Sequence, residues 1–213
     1  MPSVEVLVAF TLASLILNLS PGPSNLYVMA RSISQGMRGG VVAALGLAAG
    51  SLLHVLAAVL GLSALFQHFP MLYTAVKLIG AAYLVYLGIV YWRTSAPGRI
   101  DNGRPLRQKP AMTVFRESVI VEATNPKTAL FFIALLPQFV VPESGPVWQQ
   151  LLILGAIVTI SALPCDLLVA AFSSRAARWL NRHQHAQTIQ QRVSGTLLIA
   201  IGSFLAIEEA TGR

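Results

Sequence analysis

Six long apolar runs most constrain what this chain can fold into. They cover residues 4–30, 39–66, 71–92, 111–141, 147–174 and 193–207. Hydrophobic residues make up 55% of the 213-residue chain and charged residues only 11%, whereas a typical soluble domain has about 25% charged residues. Such a chain cannot cover a water-facing surface, so its natural solvent is a bilayer. The composition excludes an ordinary cytosolic enzyme, a disordered tail and a nucleic-acid-binding module.

A helix needs about 20 residues to cross the hydrocarbon core. The second, third and fifth runs meet this length without help, and the other three are short or interrupted by proline and charged residues. Interrupted spans are expected where the backbone lines a cavity and not where it faces lipid. The runs therefore predict an all-α polytopic membrane protein of six transmembrane helices.

The placement of basic residues predicts the orientation of these helices. Twelve of the 15 lysines and arginines follow the first, third and fifth runs, and the connections after the second and fourth runs contain none. Basic connections stay on the cytoplasmic side, so we expect both termini outside. Contact with anionic lipid headgroups then accounts for the net charge of +7, and we expect no nucleic-acid partner.

The basic segment 94–110 is rich in proline, glycine and arginine and divides the chain into residues 1–93 and 111–213. Each part contains three apolar runs. Because three is odd, the second part must lie upside down relative to the first. The sequence thus predicts one membrane domain built from two inverted three-helix repeats, joined by a cytoplasmic linker.

Each half has a helix-breaking motif in its first span. The first break is Ser20-Pro21-Gly22-Pro23, and the second break is Asn125-Pro126-Lys127. Counted from the nearest basic residues, Arg31 and Arg116, both breaks lie roughly 15 Å deep at 1.5 Å per residue, near the middle of the hydrocarbon core. We therefore expect the two breaks to meet at the midplane.

A broken helix exposes carbonyl oxygens that can take an ammonium group, and a helix N-terminus that attracts a carboxylate. A zwitterionic amino acid needs both in one place. The alternative is that the prolines only kink their helices. The candidate substrate-binding residues are Ser20, Pro21, Gly22, Pro23, Asn25, Asn125, Pro126 and Lys127.

Ionisable residues inside membrane runs are costly and usually face a partner or a polar cavity. Asp166, Glu122 and His54 are the candidates for carrying a proton during transport. The alternatives are a structural ion pair with Lys127 for the carboxylates, and a packing role for the histidine. The sequence has no cluster with metal-ligand spacing and no nucleotide-binding loop, so we expect neither a metal nor a cofactor.

Several stretches together resemble the lysine exporter/homoserine–threonine resistance (LysE/RhtB) family. The first break continues into Ser24-Asn25, and the second continues into Ala129-Leu130-Phe131-Phe132. The other matching stretches are residues 36–40, 46–50, 77–88, 136–139 and 195–202. The resemblance runs nearly from end to end in the same order.

This resemblance implies export of amino acids or their derivatives across the bacterial inner membrane, driven by the proton motive force. Members of the family commonly carry an acidic residue directly after the second glycine of a GxxxG motif, whereas this chain has Ser51 after Gly46 and Gly50. That departure makes Asp166 and Glu122 stronger candidates for coupling.

Some questions remain open from the sequence. Little negative charge lies near the breaks, which favours neutral amino acids over lysine or arginine. A passive amino-acid channel is the main alternative function, and an intramembrane enzyme using Ser63 and His54 is a weaker one. The GxxxG motif can serve a contact within the chain or a homodimer.

Overall fold

The computed structural model describes residues 2–20, 22–93, 108–182 and 184–211. These residues form seven α-helices and two short 3-10 helices, and no strand occurs in the described ranges. The α-helices are α1 (Val4–Leu19), α2 (Pro23–His68), α3 (Pro70–Arg93), α4 (Ala111–Ala123), α5 (Pro126–Leu135), α6 (Val147–Arg182) and α7 (Gln184–Thr211). The 3-10 helices, Leu136–Phe139 and Pro142–Ser144, lie between α5 and α6. Pro21 and most of the expected linker, residues 94–107, lie outside the described residues.

Three parts of the described chain are long and apolar enough to cross a membrane. Two are single stretches, Pro23–His68 and Val147–Ser173. The third is the pair Ala111–Ala123 and Pro126–Phe139, which is bent by 48° and counts if it forms one span. Shorter apolar helices cover Val4–Leu19, Thr74–Val90 and Gly195–Ile207. The chain is therefore an all-helical membrane protein, and the count of six spans stays a prediction that includes the shorter helices.

Helix α2 contains the end of the first apolar run and the whole second run, because the chain turns sharply at Gly36. That residue has φ 68° and ψ −169°, a left-handed conformation that favours glycine. A Cβ atom at Gly40 would lie 2.0 Å from the Ser32 hydroxyl oxygen, although eight residues of straight helix would separate the two by about 12 Å. The connection expected around Arg31 is thus a turn at one glycine, and Arg31 itself lies within the helix.

The long helices pack in a regular set of pairs. Helix α2 lies along α6 and against α4, α3 lies along α7, and α1 lies against α6. The close approach of α2 to α4 depends on Gly46 and Gly50. A Cβ atom at Gly46 would lie 2.5 Å from the Phe115 carbonyl oxygen, and one at Gly50 would lie 2.7 Å from Glu122 Cβ. The GxxxG motif therefore serves a contact within the chain.

Two apolar cores lie on opposite sides of the breaks. Among the described residues, the large apolar core contains twenty that are buried, with Phe10, Leu84 and Leu154 among the most buried. They come from α1, α2, α3, α5, α6 and α7 and from the connection between α5 and α6. The small apolar core lies towards Gly36 and the start of α4 and contains only Val28, Ala43, Leu47, Val114 and Ala170. A polar cavity lies between the two cores.

Candidate functional site

The two breaks meet at one small cavity of about 40 Å³. Both breaks line it, together with α2 and α6. The polar lining residues are Asn18, Ser24, Asn25, Ser51, Glu122, Asn125, Lys127, Thr128 and Asp166, and Gly22 also contributes. The prolines of the motifs have another role, because Pro23 and Pro126 are exposed and start α2 and α5 without lining the cavity.

The first break ends one helix and begins another within a few residues. Helix α1 ends at Leu19, where the Ser20 N–H donates to the carbonyl oxygens of Ile16 and Leu17 at 3.1 Å each. Helix α2 then begins with extended Gly22 as its N-cap, and no side chain caps its first N–H groups. The cavity therefore faces both an α1 C-terminus and an uncapped α2 N-terminus.

Asn125 holds the second break against the first. Its Oδ1 accepts a hydrogen bond from the Lys127 backbone N–H at 3.1 Å and so caps α5. Its Nδ2 donates to the Ser24 hydroxyl across the cavity at 2.9 Å. Asn125 is 4% exposed, and its side chain completes a cap on one half while bonding the other half.

The Lys127 ammonium reaches from the second break into the first. Its Nζ donates to the carbonyl oxygens of Leu17 at 2.9 Å and Ser20 at 2.6 Å. Carbonyls at a helix C-terminus carry the negative end of the helix dipole. They therefore suit a cation, although the Leu17 oxygen also accepts from the Ser20 N–H. A Cβ atom at Gly22 would lie 3.2 Å from Lys127 Cδ and 3.3 Å from its Nζ, which means that the missing side chain at Gly22 makes room for the lysine.

Glu122 is buried, and the described side chains that donate hydrogen bonds to its carboxylate are all neutral. The Ser24 and Thr128 hydroxyls donate to its carboxylate, the second at 2.8 Å, and Asn125 Nδ2 donates at 3.4 Å. These donors come from both breaks, and Glu122 is 7% exposed. Its carboxylate thus ties α4, α5 and the start of α2 together.

Asp166 is as buried as Glu122 but has a different environment. It lies two residues after Pro164 in α6, is 8% exposed and lines the cavity. Among the described residues, no hydrogen bond or ion pair reaches its carboxylate. The cavity therefore contains one ammonium group bound to backbone and one carboxylate without a bonding partner in the described part of the chain.

His54 lies beside the cavity wall and does not line it. Its Nε2 is 2.8 Å from the Glu122 backbone oxygen, which can only accept, so the ring donates. The ring also lies beside Phe132, with 5.7 Å between ring centroids. The Ser63 hydroxyl has no hydrogen-bond partner among the described residues, so Ser63 and His54 do not form a nucleophile–base pair.

Sequence reasoning missed several small polar residues that complete the cavity. Ser24 and Thr128 bind Glu122, and Ser51 forms a hydrogen bond with the Thr159 hydroxyl at 2.9 Å. Ser24 and Thr128 lie within one turn of a break, which is the signal that could have identified them. Asn25, which the sequence did indicate, lines the cavity, and its Nδ2 donates to the Asn18 carbonyl oxygen at 3.0 Å across the first break.

A second cluster of polar residues lies further along α2 and nearer the start of α4 than the cavity does. We name it the edge network, and it consists of Tyr27, Arg31, Gln35, Lys109 and Glu117. Arg31 is 3% exposed and its Nη2 lies 2.7 Å from Glu117 Oε2, which also accepts from the Tyr27 hydroxyl at 3.0 Å. Lys109 pairs with the other oxygen of Glu117. The edge network was not expected from the sequence.

Comparison with known proteins identifies the family. The LysE type translocator family matches residues 15–209. The chain belongs to this family. It is 33% identical over 198 residues to the homoserine/homoserine lactone efflux protein of Salmonella typhimurium, covering 93% of this chain and 94% of the relative. It is 27% identical to the leucine efflux protein of Salmonella choleraesuis, covering 92% of each chain. An uncharacterized membrane protein of Vibrio cholerae is 30% identical, covering 97% and 99%.

No solved structure matches this translocator. The resemblance read from the sequence motifs is confirmed by the family match. The two relatives with functional names are named for efflux and not for catalysis, so the translocator is not an enzyme and the hypothesis of an intramembrane enzyme at Ser63 and His54 is set aside.

Proposed function

We propose that this translocator is a secondary-active exporter of small neutral amino acids or their derivatives across the bacterial inner membrane, coupled to protons. The observation that carries the proposal is the cavity where the two breaks meet. It combines the ammonium of Lys127, the unpartnered carboxylate of Asp166 and the uncapped N-terminus of α2. These groups complement the two charges of an amino acid.

The names of the relatives support the neutral class. Two relatives are named for efflux of homoserine and homoserine lactone, and of leucine. Homoserine and leucine are zwitterions with uncharged side chains, and homoserine lactone is a derivative whose carboxyl group is closed into an ester. In the described part of the cavity the carboxylates are Glu122 and Asp166, and Glu122 is already bound by three donors. A neutral side chain needs no further counter-charge in this cavity, whereas a lysine or arginine substrate would bring a second cation.

Alternating access needs two halves that rock around the site. In two inverted repeats α1 would correspond to α4, and the second part of α2 would correspond to α6. The packing of α2 against α4 and of α6 against α1 is then the same contact made once from each half. The cavity of about 40 Å³ holds about three water molecules and is too small for an amino acid, so loading a substrate requires the two halves to move apart.

The direction of transport follows from the proposed topology. Basic connections on the cytoplasmic side put the edge network and the small apolar core between the cytoplasm and the cavity, with both termini outside. Substrate enters through the side of the small apolar core and leaves through the side of the large apolar core. A proton that enters from outside and is released to the cytoplasm through Asp166 drives the cycle.

The test is uptake of radiolabelled homoserine, leucine and lysine into inverted vesicles with an acidic lumen. We expect accumulation of a neutral amino acid against its gradient, lost on adding an uncoupler and absent in Lys127→Ala. Lys77→Ala is the matched control, because Lys77 lies in α3 outside the cavity lining. Uptake that only equilibrates and ignores the uncoupler would indicate a passive channel, and wild-type uptake by Lys127→Ala would contradict the site.

A further inference from the structure

We propose that the Lys127 ammonium occupies the subsite for the substrate's own ammonium, so that a substrate binds by displacing it. The displaced lysine then becomes the partner of the substrate carboxylate. This inference rests on the proposed function, since it assigns the subsites of the same cavity and the order in which they are used.

The ammonium subsite is the pair of carbonyl oxygens at the end of α1. Lys127 Nζ lies 2.9 Å from the Leu17 oxygen and 2.6 Å from the Ser20 oxygen. A primary ammonium has three donors and no acceptor, and the α-amino group of an amino acid at neutral pH is also a primary ammonium. The subsite therefore recognises the group that Lys127 and the substrate share.

A further polar atom at this position has no partner. Ser20 is 2% exposed, and its hydroxyl oxygen forms no hydrogen bond in the described part of the chain. A buried hydroxyl without a partner costs free energy, and this hydroxyl belongs to the residue whose backbone oxygen forms part of the ammonium subsite. The Asp166 carboxylate faces the same cavity and is also without a bonding partner among the described residues.

The carboxylate subsite lies next to the lysine at the start of α2. A Cβ atom at Gly22 would lie 3.3 Å from Lys127 Nζ, so the ammonium already borders the uncapped N-terminus of α2. Two helices begin at the breaks. Asn125 caps the N-terminus of α5, whereas the N-terminus of α2 has no side-chain cap. A carboxylate bound there gains the helix dipole and the displaced ammonium together.

This exchange favours substrates that carry both charges. A zwitterion adds no net charge to the cavity and provides a partner for each group that moves. An amine without a carboxylate can replace Lys127 on the carbonyls but offers the displaced ammonium no carboxylate, and a lactone offers it only an ester carbonyl oxygen. A carboxylate without an amine could not replace Lys127 on the carbonyls. Discrimination then comes from the cost imposed on the incomplete ligand.

The test compares matched ligands on purified full-length protein. Binding is measured for L-leucine and L-leucinol, and for L-homoserine and 2-amino-1,4-butanediol. We expect wild-type protein to bind at least one amino acid about tenfold or more tightly than its amino alcohol. In Lys127→Met, which keeps an unbranched stem but lacks the terminal ammonium, the amino alcohol should bind about tenfold more tightly than to wild type, and the amino acid more weakly.

A different outcome identifies which idea fails. Wild-type protein that binds neither amino acid would contradict the proposed function and this inference with it. Binding of an amino acid by wild type, with amino-alcohol affinity unchanged or reduced in Lys127→Met, would contradict the inference alone and leave the lysine as a simple carboxylate ligand.

A second variant tests the same idea with Lys127 in place. Gly22→Ala puts a methyl group 3.2 Å from Lys127 Cδ and 3.3 Å from its Nζ, so the lysine must shift by a few tenths of an ångström. That shift should weaken its bonds to the carbonyls and tighten amino-alcohol binding by about threefold. Gly61→Ala is the matched control, because a Cβ atom there has no neighbour within 4 Å. Equal amino-alcohol affinity in Gly22→Ala, Gly61→Ala and wild type would count against displacement.

Discussion

Asp166 and Glu122 are nearly equal in burial, at 8% and 7% exposed, but they differ in hydrogen bonding. Three neutral donors hold Glu122, and they come from the segments that form both breaks. Protonating it would break contacts on which the cavity depends. Asp166 faces the cavity without such contacts in the described part of the chain, so it can gain and lose a proton without dismantling its surroundings. This difference separates two candidates that the sequence alone left equal.

We expect Asp166→Asn to abolish uphill transport while leaving exchange of labelled for unlabelled amino acid within about threefold of wild type. The amide keeps the size of the side chain but cannot carry the coupling proton. Both activities are measured in the same inverted vesicles, with Glu143→Gln on the exposed outer connection as the control. Uncoupler-sensitive accumulation by Asp166→Asn would exclude this residue as the proton carrier.

At the residue scale, the sequence predicted which residues lie at the cavity better than it predicted the partners that those residues bind. Proline and asparagine at the breaks act on their own helix ends, so their effect is readable from neighbouring residues. Lys127 binds carbonyls about 110 residues away, and Arg31 pairs with Glu117 across the fold. Such pairs depend on how helices are rotated against one another, and apolar periodicity says little about rotation in lipid, which is as apolar as the core.

At the scale of helices, close packing explains features that the apolar runs alone did not. Each apolar run overlaps one or two of the described α-helices. The runs did not show that Gly36 would turn α2 back on itself or that α6 and α7 would extend through polar residues. The GxxxG motif was ambiguous, because small residues favour any close helix contact. The structure places α4 against it, and that contact positions Glu122 beside the cavity.

We expect Gly46→Ala to destabilise the protein by about 1–3 kcal/mol, because the new methyl group would lie 2.5 Å from the Phe115 carbonyl oxygen. Backbone cannot move aside as a flexible side chain can. Gly61→Ala makes the same chemical change in the same helix with no neighbour within 4 Å, and should be neutral or slightly stabilising. Thermal unfolding in detergent measures both, and equal melting temperatures for the two variants would contradict the role of Gly46 in the α2–α4 contact.

At the scale of the whole molecule, the described residues close the two sides of the cavity by different means. The large apolar core closes one side. On the other side, the small apolar core is backed by the edge network, whose ion pairs water can replace when that side opens. In the proposed topology this is the cytoplasmic side, where an exporter must take up its substrate.

In the proposed topology the edge network acts as a latch on the cytoplasmic side, because Glu117 of α4 holds Arg31 of α2 and Lys109 at once. Glu117→Gln would remove the carboxylate that these two cations share and so weaken the contact between α2 and α4, at a cost of about 2 kcal/mol to the closed state. Water can solvate Arg31 once that side opens, so the variant should favour the open state.

A single cysteine in the cavity can report this opening. Ala162 lines the cavity, so Ala162→Cys in a chain with Cys165→Ala provides the label site. In inverted vesicles, a membrane-impermeant thiol reagent should react about tenfold or more faster after Glu117→Gln, with no increase in right-side-out vesicles. Glu143→Gln on the other side should leave both rates unchanged. Faster labelling in right-side-out vesicles would place the edge network on the outer side and overturn the proposed direction of transport, whereas unchanged rates would show that the network does not hold the cavity closed.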